Sequence, residues 1–475
     1  MSTVVLPFDI LECIITKFNP IHDHKTLAAC CLVNRDCNEL ASSRLYYRLE
    51  ISVGDSEAVL AKKSHMLSSA CLPHNCHRVK DLSFRGQLRP NQRRTHLKHE
   101  LVINAVRKFK RLETLIISIP NLRAPVDDDA DELSLDTMIE ITKLLNNWTR
   151  LRRLAINHVI ERIELGQRGV WIDGFLPSSL QELAVFNASV ANLSKMPDEV
   201  AQGLTKLHFG VGVFHGYSLP ATFSASVHKF RHLKLLSIGV LNPAANTDIF
   251  QSVAELPHLE RLALDYACRG YSFPPKSDDM ATNFRPPHRL KSFILRIRAF
   301  CICKFEMDVP VVSRWIKHII SLSAIEELTL RPTKYLVDDV INTIPKKSWD
   351  ILIDHLADKQ ASSLRLLDLR IGIVRSIALG RLFRKCFQLQ ELVAATSRGS
   401  LATLKRQSQM LRLAKVHFEL RTNKTDRRRS KFGLDEVTDI MRNAHLRRLI
   451  INDAEWVASW ELGAKETPNY VICQS

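Results

Sequence analysis

Residues 325–331 read Ile-Glu-Glu-Leu-Thr-Leu-Arg, and residues 364–370 read Leu-Arg-Leu-Leu-Asp-Leu-Arg. Both stretches set two apolar positions three apart and a third two further on, and the last two share the period at which strand side chains return to one face. With Val, Ile, Phe and Ala as substitutes, this L-x-x-L-x-L phrase occurs thirteen times. Its middle positions are Leu82, Leu115, Leu154, Leu183, Leu207, Leu236, Leu262, Phe293, Leu328, Leu367, Leu392, Val416 and Leu449. Successive middle positions lie between 24 residues (183 to 207) and 39 residues (115 to 154) apart, room for a strand, a turn and a returning helix. Helical apolar spacing precedes several copies, as in Leu133 to Asn147 and Val311 to Leu322. A helix-then-strand unit cannot bury its apolar side alone, so the pattern predicts an α/β solenoid of stacked units with a parallel sheet.

Over residues 75–460 the array resembles a leucine-rich-repeat horseshoe of irregular period, which implies a parallel sheet on the concave face. One departure is clear. Three residues beyond the last apolar position, where such repeats usually carry asparagine or cysteine, stand Gln87, Pro120, Val159, Ala267, Arg298 and Thr333. The side-chain ladder that keeps regular coils in register is therefore expected to be missing.

A chain of 475 residues with 45% hydrophobic content is long enough for several ordinary domains or one repeat array, and the repeats favour the array. Its formal net charge of +17 suggests acidic partners, nucleic acid or a membrane surface without choosing among them. No run of eighteen apolar residues exists, so no membrane span is expected. Pro7, Asp9, Glu12 and Lys17 interrupt the apolar N-terminus, which argues against a signal peptide. Eleven cysteines without framework spacing agree with a reducing compartment, hence cytoplasm or nucleus.

Residues 6–19 read Leu-Pro-Phe-Asp-Ile-Leu-Glu-Cys-Ile-Ile-Thr-Lys-Phe-Asn. Pro7 suits a first helical turn, and Asp9 and Glu12 suit the positive end of the helix dipole. Ile10, Ile14 and Phe18 make one apolar stripe, Leu11 and Ile15 an adjoining one. Two further segments, Lys25 to Val33 and Asn34 to Leu49, complete three short helices whose core is marginal alone, so stability is expected to come from docking. Leu6-Pro7-x-Asp9-Ile10-Leu11-x-x-Ile14-Ile15, Cys31-Leu32-Val33-Asn34-Arg35, Leu40-Ala41 and Leu45-Tyr46-Tyr47-Arg48-Leu49 together resemble an F-box, in the form frequent in fungal proteins, over residues 4–51. That resemblance implies binding to the adaptor Skp1, and through it to a cullin-RING ubiquitin ligase. By position, Leu6, Pro7, Ile10, Ile14, Leu32 and Val33 would meet Skp1, while Leu11, Ile15 and Leu40 would hold the helices together. Cys37 stands where many F-boxes have tryptophan, and the Asn19 to Lys25 link is slightly long.

The residue after the third apolar position projects from the sheet. In three consecutive copies it is arginine: Arg296, Arg331 and Arg370. Like charges on neighbouring strands are unfavourable unless an anion bridges them, so the row is a candidate substrate site for an acidic or phosphorylated protein segment. Pairing with neighbours such as Glu327 and Asp368 is the plainer alternative. Phe186 is a candidate aromatic anchor at the same register.

The Arg427-Arg428-Arg429 cluster, the acidic run Asp127 to Glu132 and the proline-rich stretch Tyr271 to Pro287 read as solvated loops or insertions. Cys71, His74, Cys76 and His77 lack the second ligand pair of a zinc finger, and Cys301 and Cys303 fall on or beside a strand, so no metal or other cofactor is expected. Phosphate-loop, nucleophile-elbow and zinc-protease motifs are all missing, which points to a non-catalytic chain. A repeat scaffold without ubiquitin transfer and a basic nucleic-acid-binding solenoid remain as alternatives, the latter resting on net charge alone.

Overall fold

The computed structural model describes residues 6–20, 22–53, 57–86, 99–119, 143–158, 176–185, 193–210, 223, 226–241, 251–268, 272–273, 285–299, 306–307, 309–332, 349–407, 412–420, 433–452, 454–462 and 468–474. They fall into two units, Met1–His215 and Gly216–Ser475, and each is an α/β solenoid.

The first unit opens with helices α1 (Phe8–Ile15), α2 (His24–Cys30) and α3 (Arg35–Tyr47). Its strands are β1 (Arg48–Val53), β2 (Asp81–Gly86), β3 (Thr114–Ile119), β4 (Arg153–His158), β5 (Glu182–Val185) and β6 (Lys206–Gly210). Each pairs in parallel with the next. Helices α4 (Glu57–Ala70), α5 (His99–Lys108) and α6 (Asp198–Gly203) lie between strands, as a helix-then-strand unit requires.

The second unit runs β7 (Leu235–Leu241), β8 (Arg261–Cys268), β9 (Ser272–Phe273), β10 (Ser292–Ala299), β11 (Glu306–Met307), β12 (Glu327–Pro332), β13 (Leu366–Val374), β14 (Glu391–Thr396), β15 (Lys415–Leu420) and β16 (Arg448–Ile451). Apart from β9 and β11, which pair only with each other, consecutive strands are parallel neighbours. Helices α7 (Val309–Ile320), α8 (Asp350–Lys359), α9 (Ser376–Lys385), α10 (Gly399–Gln407) and α11 (Leu434–Asn443) alternate with them. The expected Val311–Leu322 helix is α7, displaced by two residues, so Leu322 falls beyond its end and is exposed. Most of the expected Leu133–Asn147 helix lies outside the described residues.

Every apolar position of the thirteen phrases is buried, none more than 5% exposed. At roughly 1.5–3 kcal/mol for each fully buried large aliphatic side chain, this spine is the main favourable term in both units. In place of the missing asparagine ladder the backbone supplies a repeating staple. At the entrances of β3 to β6, of β8 and β10, and of β12 to β16, two successive N–H groups share one carbonyl of the preceding repeat. Glu113 and Thr114 donate to Lys80 O at 2.8 and 3.0 Å, Arg152 and Arg153 to Glu113 O, and Gln181 and Glu182 to Arg152 O. In the second unit Lys291 and Ser292 donate to Glu260 O, Glu326 and Glu327 to Lys291 O, and Arg365 and Leu366 to Glu326 O.

Two edges differ from the sequence expectation. β1 is an additional copy of the repeat: Leu49 and Ile51 are fully buried and pair beside Leu82 and Phe84. The sheet thus begins at Arg48, inside the span assigned to the helical head. At the other end β17 (Ala454–Leu462) and β18 (Pro468–Gln474) extend the sheet antiparallel, past residue 460. Residues 463–467 are too few for the crossover that a parallel partner would need.

Polar groups inside the second unit are tied into the same stack. Gln360, 2% exposed, accepts from Ile325 N at 3.0 Å through Oε1 and donates through Nε2 to Ile320 O and Ser323 O at 3.2 and 2.9 Å. Trp349 Nε1 donates to Ile371 O at 2.5 Å, and the following Gly372 has φ +81°, where a Cβ would stand 2.8 Å from that indole nitrogen. Gly372→Ala is therefore expected to lower stability by about 1–3 kcal/mol, from the left-handed backbone and the clash together, read as an earlier denaturant midpoint.

His355, on α8, is buried, and its Nε2 has no hydrogen-bond partner among the described residues. Burial, then Lys317 and Lys359, holds its pKa below the ordinary value. Below pH ~6.5 the unfolded chain accepts a proton that the folded chain refuses, so stability falls with pH by up to ~1.4 kcal/mol per unit from this group. Stability curves between pH 7.5 and about 5 should be flatter for His355→Leu than for the wild type. Equal slopes would mean that the imidazole titrates alike in both states.

Candidate interaction surfaces

In the head, Ile15, Leu27 and Ala41 form the buried centre, with Phe18, Cys30, Cys31, Leu40 and Leu45 packed against it. Pro7 precedes α1 as its cap and not as its first helical residue; its carbonyl accepts from Leu11 N at 3.1 Å. α2 ends at Cys30, so Leu32 and Val33 stand on the turn that follows it. Asn34 then starts α3, its side chain accepting from Cys37 N at 2.8 Å. Cys37 is buried, filling a smaller space than a tryptophan would.

Of the two stripes, Ile10 and Ile14 turn outward and Leu11 and Ile15 inward, but Phe18, read on the stripe of Ile10 and Ile14, packs against the head core. Ile15 is buried and Leu11 half-buried, whereas Leu6, Ile10 and Ile14 are 44–47% exposed, as is Phe8, which the stripe reading left out. Leu32 is 87% and Val33 68% exposed, and Pro7 is exposed. Isolated surface apolar residues need no explanation, but this many within one three-helix head form a surface suited to a partner. The head is fixed to the first repeat: α3 runs directly into β1, Tyr46 Oη and Ser69 Oγ lie 2.8 Å apart, and Lys80 N donates to Tyr47 O at 3.0 Å.

In the second unit, Arg296 and Arg331 are register partners on β10 and β12, and Asp265 on β8 is the register partner of Arg296 on its other side. Both arginines are half-buried. Arg370 is differently placed. Its Nε and Nη2 donate to the two carboxylate oxygens of Asp368 at 3.0 and 2.9 Å, and Glu419 and Glu391 add to the negative field around it. Its fork is thus already occupied, as the plainer alternative of pairing with Asp368 requires. Asp368 is 5% exposed, and burial raises its pKa despite Arg370 and Arg331. Glu327 is not part of this cluster: it pairs with Arg261 at 3.0 Å and accepts from Ser292 Oγ at 2.7 Å. Phe186, the Arg427–Arg429 cluster, the acidic run at 127–132, Cys301 and Cys303 lie outside the described residues.

No helix among the described residues is long and apolar enough to cross a membrane. No family model matches the chain, and no curated protein matches it. Among solved structures it is similar to the Rad7 and Elc1 complex in yeast, at 11% identity over 91% of this chain and 92% of that chain, with a TM-score of 0.40. It is also similar to an internalin (inlF) from Listeria monocytogenes, at 12% identity over 91% of this chain and 98% of that chain, with a TM-score of 0.34. At these scores neither likeness bears on function.

Arg44 links the first and third head helices, donating to Phe18 O at 3.3 Å and Thr16 O at 3.1 Å. Arg44→Ala should remove about 1–2 kcal/mol of local stability. The expected readout is faster amide exchange across residues 8–18 with unchanged protection of the strand amides; uniform loss of protection would show that the head does not open on its own.

Proposed function

We propose that this chain is the substrate-recognition subunit of an SCF-type cullin-RING ubiquitin ligase, with a non-catalytic role. On this reading the F-box-like head docks Skp1 through Leu6, Pro7, Ile10, Ile14, Leu32 and Val33, and the repeat sheet receives a protein substrate. Ubiquitin transfer then belongs to the partner subunits, and the chain works in the cytoplasm, the nucleus or both. The observation that carries the reading is the division of the head's apolar residues: of those that the F-box resemblance turns inward, Ile15 and Leu40 pack in the head core and Leu11 is half-buried, and those that it turns toward Skp1 are left to solvent.

The mechanism asked of such a chain is positional. Apolar docking supplies affinity through desolvated side chains near the centre of the contact. The α3-to-β1 junction transmits that placement to the first repeat, because the last head helix and the first strand are continuous chain.

The test is co-purification of the full-length chain with Skp1, compared with a Leu32→Asp/Val33→Asp variant and an Ile10→Ala variant. These positions are exposed, so thermal midpoints should stay close to wild type. Binding by the intact chain, weakened about thirtyfold or more by the double charge substitution, is the expected result. An intact chain that does not retain Skp1 would leave the head as a helical cap on the solenoid.

A further inference from the structure

Three successive repeats of the second unit carry a planar, nitrogen-bearing side chain just before the first apolar position of the phrase: His232 before Leu233, His258 before Leu259 and Arg289 before Leu290. Their strands β7, β8 and β10 are parallel neighbours about 5 Å apart, so the three residues form a row along the edge where the strands enter the sheet. The row is in contact. The two imidazole rings stack with centroids 6.1 Å apart and planes 10° from parallel, and Arg289 Nη1 lies 3.0 Å from His258 Nδ1. A guanidinium can only donate, so Nδ1 is the acceptor and the ring carries its proton on Nε2, which leaves a further donor. Arg231 and His288 flank the row, and all five residues except the half-buried His258 are exposed. Arg231 and Arg289 form no ion pair with any of the described residues. Of the carboxylates on these repeats, Glu260 is held by Lys291 at 3.1 Å, and the exposed Glu255 pairs with neither arginine.

We propose that this edge, with Arg231 and Arg289 as its charges and His232 and His258 as added donors, binds a short acidic segment of a protein substrate. The inference rests on the reading that the repeat sheet receives a protein substrate, and it names the part of the sheet and the chemistry. Arg289 keeps N–H donors beyond the one given to His258, and a carboxylate accepts such donors in parallel pairs. Its partner is an imidazole nitrogen and not a carboxylate, so its charge is oriented without being cancelled. The row is also short. In the next repeat the same place is taken by Ala324, followed by Glu326 and Glu327 at the entrance of β12, so the basic stretch spans about 10 Å across three strands. Alternate side chains of an extended peptide recur at about 7 Å, so two acidic residues on one face of a peptide fit within it. A nucleic-acid strand draws its affinity from many phosphates and would run on over Glu326 and Glu327, which disfavours it here.

Fluorescence anisotropy of the full-length chain at low ionic strength tests this with three labelled probes: a peptide with glutamate at alternate positions, the same peptide with glutamine, and a single-stranded oligothymidine. Skp1 is omitted, so the result is independent of head docking and failure of one reading leaves the other standing. The expected result is binding of the glutamate peptide at least about tenfold tighter than the glutamine peptide. Arg289→Ala should cost about tenfold, and His258→Leu, which keeps both arginines but removes the acceptor that orients Arg289, about threefold. Arg412→Ala removes the same charge from an exposed arginine at the equivalent place before β15, and should cost less than about twofold. These side chains lie at the surface, so thermal midpoints should stay close to wild type. Equal binding of the two peptides, or equal losses in Arg289→Ala and Arg412→Ala, would reduce the effect to net charge and overturn the site. Oligothymidine bound as tightly as the glutamate peptide, and released by Arg289→Ala, would overturn it in favour of nucleic acid.

Discussion

At the entrances of β3 to β6, of β8 and β10, and of β12 to β16, one main-chain carbonyl of the preceding repeat receives two consecutive N–H groups of the next, at 2.7–3.1 Å. Each such bond contributes only about 1 kcal/mol net. Its larger effect is on register. A parallel strand that slipped by one residue would turn its buried leucines outward and its charged residues inward, so whatever fixes the first pair fixes the burial of the whole strand. Because donors and acceptor are all main chain, the staple works with Lys80, Gln181, Glu260 or Ala414 at the accepting position. It places no demand on side-chain identity, and the intervening loop can change length without disturbing it. A period that wanders between 24 and 39 residues is compatible with a regular sheet for that reason.

This also explains what could be read in advance. The buried spine was legible because burial at a strict two-residue period demands apolar side chains, and all thirteen copies obeyed. The staple was not legible, since it leaves no mark on composition. β1 escaped notice because its first apolar position is Tyr46, on α3, where the phrase overlaps the head's own pattern. The terminal hairpin has alternation in residues 454–462 but lacks the leading apolar position three residues ahead. In the head, the inner and outer stripes of α1 were readable from helical spacing. The end of α2 was not: Cys30 to Val33 is uniformly apolar, and only the turn geometry shows that Leu32 and Val33 leave the helix. The Asp368–Arg370 pair was half visible, since residues i and i+2 on a strand share a face, but spacing alone does not decide whether an arginine turns to its own strand or to a ligand.

Charge on the sheets is organised more closely than the total suggests. Glu182 lies between Arg153 at 2.9 Å and Lys206 at 3.4 Å in the first unit, and Glu391 meets Lys415 at 2.5 Å in the second. Exposed pairs of this kind add little stability, on the order of 0–1 kcal/mol each. Their effect is to neutralise these strand-start charges locally. Asp368 is the costly member: its pKa is raised because burial outweighs the two arginines. Held by Arg370, it keeps that guanidinium in one orientation.

The head and the repeat sheet are held in different ways. Docking of a partner on the head, under the proposed reading, would tolerate small displacements, since burial is non-directional, but would need the exposed residues kept out of the head's own core. Those residues do stand outside it: the buried centre is Ile15, Leu27 and Ala41, while Ile10 and Leu32 are exposed. A core of that size cannot hold three helices firmly, and the remaining constraint comes from Arg44 across α1 and from the Tyr46 and Tyr47 contacts with the first repeat. The repeat sheet is held differently: main-chain staples and the buried leucine spine fix its strands, and the Asp368–Arg370 pair fixes one charged side chain on it. A small head with a marginal core and a stapled sheet are thus held by different interactions, and α3 running directly into β1 joins the head to the first repeat.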